Sequence, residues 1–116
     1  MSDGDRERRM AGLVGLGHRA RRTVVGVERV RDAARRGALA LVVVAPDASR
    51  HSLAKVVPLL RARHVEMIDG PSSTALGAAV GRDAATAIGI VDRDLARGIR
   101  AIARSGSDRG SRGGAF

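Results

Sequence analysis

Between Val27 and Arg36 the apolar and charged positions follow a helical period. Val27, Val30, Ala33 and Ala34 form one stripe, while Glu28, Arg29, Arg31, Asp32, Arg35 and Arg36 face water. Gly37 is placed to stop that helix. The run that follows, LALVVVA (Leu39–Ala45), is apolar at every position, which predicts a central strand covered by helices on both faces. Upstream, Met10, Leu13, Val14 and Gly17 predict a helix from Arg6 to Ala20, and TVV (Thr23–Val25) predicts a short strand ended by Gly26. Downstream, Leu53, Val56, Val57 and Leu60 predict a helix over Ser52–Arg63, bent at Pro58. VEMI (Val65–Ile68) reads as a third strand, and Asp69–Ser73 as a loop capping a short helix over Thr74–Val80. TAIGIVD (Thr86–Asp92) reads as a fourth strand, and a last helix starts at Asp92 or Asp94 with Leu95, Ile99 and Ile102 inward.

Helices alternating with strands predict an α/β protein, a three-layer α/β/α sandwich around a four-stranded mixed sheet. One domain over residues 6–104 is expected, with a flexible end over residues 1–5. SGSDRGSRGGAF, from Ser105 to Phe116, has no periodicity and reads as a disordered Gly/Ser/Arg tail.

Composition narrows the function more than the fold. The chain has 116 residues, 44% of them hydrophobic, enough for one core but not two. Phe116 is the single aromatic, which rules out a stacking platform for single-stranded bases. The absence of Cys removes disulfides, thiolate nucleophiles and Cys-based zinc sites. No apolar run reaches the roughly 18–20 residues of a membrane span, and MSDGDRERRM lacks the apolar centre of a secretory signal. A soluble, cytoplasmic protein is expected. The net charge of +9 points to a polyanionic partner, nucleic acid before membrane. Lys55 is the only lysine, a bias that a GC-rich coding sequence produces in any protein. Such a bias explains Arg over Lys but not the excess of base over acid.

Catalytic chemistry is poorly supplied. His18, His51 and His64 fall on different elements without metal-binding spacing. Asp47, Asp69, Asp92 and Asp94 lie near strand ends, where each serves more simply as a turn former or helix cap. GLVGLG (Gly12–Gly17) sits inside a helix rather than after a strand, so it suits close helix packing and not a dinucleotide. The junction VVGVER is different. A helix N-terminus offers unpaired N–H groups to phosphate, Gly26 lets a nucleic-acid backbone approach, and Glu28 and Arg29 reach toward base edges. Arg19, Arg21 and Arg22 just upstream would add phosphate contacts. The plainer reading is that Glu28 only complements the helix dipole and the arginines are a solvated face.

Across Gly12–Ile102 the chain resembles the ribosomal L7Ae/L30e/S12e/Gadd45 family, its short bacterial members in particular. GLVGLGHRARRTVVGVERVRDAARRGALALVVVAPDAS, VPLLRARHVEMI and SSTALGAAVGRDAATAIGI carry the resemblance. It implies the three-layer fold and a non-catalytic, cofactor-free RNA-binding protein acting on structured RNA, kink-turn or ribosomal RNA included. The kink-turn pattern G-x-N-E-x-x-K falls on Gly26, Val27, Glu28, Arg29, Val30, Arg31 and Asp32. Gly26 matches, whereas Glu28, Arg29 and Asp32 replace Asn, Glu and Lys. A second pattern, V-P-S-K-x-x-L-G, matches at Pro71, Ser72, Leu76 and Gly77, with Ser73 in place of Lys. Glu28 cannot donate as Asn does, Arg29 cannot accept as Glu does, and Asp32 repels a phosphate that Lys attracts. The resemblance therefore also admits a protein-interaction module of the same fold that no longer reads RNA.

Overall fold

A computed structural model describes residues 2–107. Its elements are α1 (Asp3–Arg19), β1 (Thr23–Val25), α2 (Val27–Arg35), β2 (Leu41–Val44) and α3 (Arg50–Ala62), then β3 (Met67–Asp69), α4 (Ser73–Ala79), β4 (Ala87–Ile90) and α5 (Arg93–Ser107). The sheet order is β1-β4-β2-β3, with β2 and β3 parallel and β4 antiparallel to both of its neighbours. This is the expected α/β sandwich on a mixed sheet.

The uninterrupted apolar run of β2 has a simple cause. Leu41, Val43 and Ala45 enter a core shared with α1, α4 and α5, while Val42 and Val44 enter a second core under α2 and α3. A strand covered on both sides has no polar face to display. On α2 the predicted stripe holds, since Val30, Ala33 and Ala34 are all buried. Ladder bonding extends past the strand limits. The Ala40 N–H donates to the Ile90 carbonyl at 2.8 Å and that of Ala45 to Thr86 at 2.9 Å.

Both chain ends differ from expectation. α1 already begins at Asp3, inside the stretch expected to be flexible. Ser2 Oγ accepts from the Asp5 N–H at 3.1 Å, Asp3 and Asp5 suit the positive helix end, and Arg8 pairs with Asp5. At the other end α5 passes Ser105, where the tail was expected to start, and reaches Ser107. Ile102 and Ala103 hold its late turns on the core, and the Ser105 hydroxyl donates to the Ile102 carbonyl at 2.8 Å. The rest of the expected tail lies outside the described residues. Pro58 sits within α3 on its exposed side, and the helix continues through it.

Small residues let the helices close on the sheet and on each other. Gly17 is buried against Leu95, so a side chain there would collide with α5. This is the packing role expected of GLVGLG at one of its glycines.

Candidate nucleic-acid interface

Strand direction decides which loops share a surface. β1, β2 and β3 end, and β4 begins, at the same end of the sheet, since Val25 pairs with Ile88, and Val44 with both Ala87 and Asp69. The N-termini of α2, α3 and α4 therefore lie together at that end. Two of them are capped. Ser49 Oγ accepts from the Ser52 N–H at 3.1 Å, and Ser72 Oγ accepts from the Ala75 N–H at 3.2 Å. The third, α2, is preceded by Gly26 and has no side-chain cap. Gly26 has φ of 102° and ψ of 155°, a conformation nearly closed to other residues. Its N–H bonds the Ala87 carbonyl at 3.0 Å, which fixes the turn, and the first-turn N–H groups of α2 are left for water or an anion.

Around this opening Glu28 and Arg29 are exposed, while Val27 is half-buried against the α2–α3 core. Arg31, one turn on, is folded back, with Nη1 3.9 Å from Glu28 Oε2 and its buried Nε without a hydrogen-bond partner. Asp32 is turned toward the far end of α2 and pairs with Arg36. That pairing neutralises the carboxylate standing where a kink-turn reader carries Lys.

The Pro71–Gly77 segment reaches the same end but divides into two kinds of residue. Pro71, Leu76 and Gly77 are buried. A Cβ on Gly77 would lie 2.6 Å from the backbone N and Cα of Ala84, so its role is to let the α4–β4 connection pass. Ser72, Ser73 and Thr74 are the accessible polar part, and both serines are engaged. The Ser73 N–H and hydroxyl donate to Asp47 Oδ1 and Oδ2 at 2.8 and 2.9 Å. These bonds hold the Asp47 carboxyl below its usual 3.8, the backbone N–H contributing most. They tie the β2–α3 turn to the start of α4.

The upstream arginines are not part of this surface. β1 separates Arg22 from Gly26, which puts Arg21 and Arg22 at the opposite end of the sheet. There Arg22 pairs with Asp92, which also caps α5 by accepting from the Leu95 N–H at 2.8 Å. The Asp92 carboxyl is lowered chiefly by that N–H, with Arg22 adding to it. Arg19 lines a groove between α1 and α4 with Gly15, Ala75 and Ala79. A segment overlooked in the sequence belongs here instead. β4 lies between β1 and β2, so the connection leading into it brings exposed Arg82 and Asp83 between the two predicted pieces. GRD reads as a plain turn until the strand order is known.

In the loops and helix starts after β1, β2 and β3 and before β4, side-chain charge at this end cancels: Arg29, Arg31, Arg50 and Arg82 are matched by Glu28, Asp47, Asp69 and Asp83. Its positive potential comes from the helix ends, about half a charge each. Elsewhere, His18 Nδ1 lies 3.2 Å from Thr23 Oγ1, and His51 and His64 are exposed. Among the described residues no three of His, Asp and Glu converge on a metal position, and no helix is long and apolar enough to cross a membrane.

The family model of the ribosomal protein L7Ae/L30e/S12e/Gadd45 family matches residues 8–98. Among solved structures, a protein of unknown function from Bacillus halodurans superposes with a TM-score of 0.75 at 27% identity, covering 82% of this chain and 96% of that one. The Giardia lamblia 15.5kD RNA binding protein superposes with a TM-score of 0.73 at 19% identity, covering 90% of each chain. Comparison with curated proteins returns no match.

Proposed function

Since the chain belongs to the ribosomal protein L7Ae/L30e/S12e/Gadd45 family, we propose that it binds structured RNA, without catalysis, at the end of the sheet carrying Gly26. The observation that carries this reading is the uncapped N-terminus of α2 with Glu28 and Arg29 exposed beside it. A similar fold belongs to a protein described as RNA-binding, which supports the class of ligand. Phosphate accepts from the free N–H groups of α2, and Gly26 adds no side chain to keep it away.

The reading residues are reversed in polarity relative to a kink-turn protein. Glu28 only accepts, so it suits base amino and imino groups. Arg29 only donates, and its planar fork suits guanine O6 and N7 or a phosphate. Arg82 and the Ser72–Ser73 turn border the same opening. The RNA best suited to this end is a folded one that offers a donor to Glu28 and an acceptor to Arg29, ribosomal RNA being one source.

Mobility-shift titrations at fixed salt, with a kink-turn RNA and a plain duplex of equal length, test the site. Arg29→Ala should weaken binding of the preferred RNA about tenfold or more, given about 1.5–3 kcal/mol for a hydrogen bond to a charged group. Equal affinity of wild type and variant for both RNAs removes the site.

A protein-interaction role is the second reading, favoured by a cavity of about 320 Å³ between α3 and the edge strand β3. Leu53, Val57, Met67 and Ile68 are among its apolar lining, with Arg61 and Asp69 beside them. Partners captured by such a module would survive RNase treatment of a lysate, whereas partners held through RNA would not.

A further inference from the structure

At the end of the sheet away from Gly26, the C-termini of α1, α2 and α3 meet the start of α5. Arginine is crowded there. Asp92 pairs with Arg22, Asp94 with Arg97, Glu66 with Arg100, and Asp32 with Arg36. Every carboxylate at this end is thus already matched, and Arg21, Arg35, Arg63 and Arg93 remain in excess. The opposite end shows no such surplus.

Helix C-termini account for part of it. Arg63 donates to the Arg35 carbonyl at 3.0 Å, and Arg100 Nη2 to the Ala40 carbonyl at 3.3 Å. Three helix C-termini bring about half a negative charge each, and the N-terminus of α5 returns about half a positive one. Roughly one charge is thereby offset, and four unpaired arginines exceed it. One of them, Arg93, lines a polar cavity of about 310 Å³ together with Leu39, Ala40 and the paired Arg97 and Arg100. Arg93 and Arg97 are exposed, and Arg93 has no ion pair among the described residues.

We propose that this end is a second RNA-contacting face, with the cavity between Arg93, Arg97, Arg100 and Ala40 receiving a phosphate of the RNA backbone. Guanidinium forks match phosphate geometry, and three of them line this cavity with no aromatic side chain to stack on a base. The face therefore contacts the backbone and not the sequence. The molecule measures 35 × 31 × 28 Å. Its two ends are then several Debye lengths apart at physiological salt, about 8 Å each, so they act independently. A chain built this way holds two RNA segments at once. The inference rests on the RNA reading for its ligand class, but not on the α2 site.

Salt titration of binding to a 12-nucleotide oligouridylate tests it, with the intact protein and three variants. Each phosphate neutralised contributes about 0.7 to the slope of log K against log salt on a single strand. Arg93→Gln/Arg97→Gln removes the one phosphate the cavity takes and should lower that slope by about 0.7, with an unchanged far-UV spectrum and melting temperature, since both side chains are exposed. Asp94→Asn frees Arg97 from its competitor and should tighten binding, a gain that misfolding cannot imitate. Arg29→Ala reports on the α2 site, and its effect on the slope should be independent of that of the double variant. An unchanged slope in the double variant, or no tightening with Asp94→Asn, overturns the second face whatever Arg29→Ala does. If the double variant loses its slope while Arg29→Ala binds every RNA normally, the second face stands and the α2 site falls.

Discussion

Alanine at Gly77 and at Gly12 should move stability in opposite directions. Both glycines lie inside helices, α4 and α1, and alanine is favoured over glycine by up to about 1 kcal/mol in a helix interior. At Gly12 nothing lies within 4 Å of the added Cβ, so Gly12→Ala should stabilise by about 0.5–1 kcal/mol. At Gly77 the Cβ would stand 2.6 Å from Ala84 N and Cα and 2.8 Å from the Arg82 carbonyl oxygen. These are backbone atoms and cannot rotate aside. Reaching an ordinary contact of about 3.5 Å or more requires the connection to retreat by roughly 1 Å. Overpacking of this kind costs about 1–3 kcal/mol, and three backbone clashes place it toward the upper end. After the helix gain, Gly77→Ala should be destabilised by about 1–2 kcal/mol. At about 4–8 °C per kcal/mol for a domain of this size, Gly12→Ala should melt about 4 °C higher and Gly77→Ala about 8 °C lower. Far-UV circular dichroism during urea and thermal unfolding reads both. A Gly77→Ala protein as stable as wild type, or two variants shifting the same way, would refute the packing argument.

Other expectations follow from the same geometry. Gly26→Ala meets open space but must hold φ of 102°, so it should cost about 1–3 kcal/mol in urea unfolding through backbone strain alone. Leu76→Ala empties a fully buried position and should cost about 2–5 kcal/mol. Its RNA affinity, measured well below its melting temperature, should stay within about twofold of wild type, because the side chain faces the core. Asp47 has a lowered pKa in the fold, so its tether is fully present above the unfolded value of 3.8 and is lost as pH falls through the lower folded value. Hydrogen exchange at the Ser73 amide should therefore lose protection, relative to other α4 amides, only in that acid range.

Legibility in the sequence followed the range of each interaction. β2 and α2 could be read because burial on both faces and burial on one stripe each leave a local pattern, LALVVVA and Val30-Ala33-Ala34. The loop at Ser72 was visible as a helix cap for the same reason. What escaped was set by partners far along the chain. Asp47 meets Ser73 across 26 positions, and nothing local in PDAS announces it. Leu76 and Gly77 were grouped with the ligand surface by resemblance, whereas their apolar or absent side chains suit the buried places they occupy. Arg21 and Arg22 were placed beside Gly26 because they are near it in sequence. The intervening TVV already held the correction, since residues before and after a strand lie at its opposite ends. At the first turn of α1 the signal was Ser2 followed by two acids, hidden in a stretch that otherwise looks like a charged leader.

The sheet order also fixes a timetable for synthesis. β1 pairs only with β4, and β2 needs β4 on one side, yet β4 is the last strand to be made. While the chain is emerging, only the parallel β2–β3 pair can form, and β1 waits as an unpartnered edge until Ile90 is free. The completed sheet therefore waits for β4 and does not grow strand by strand. Until then the bare edges of β1 and β2 are the places where a nascent chain of this protein is open to aggregation or to a chaperone.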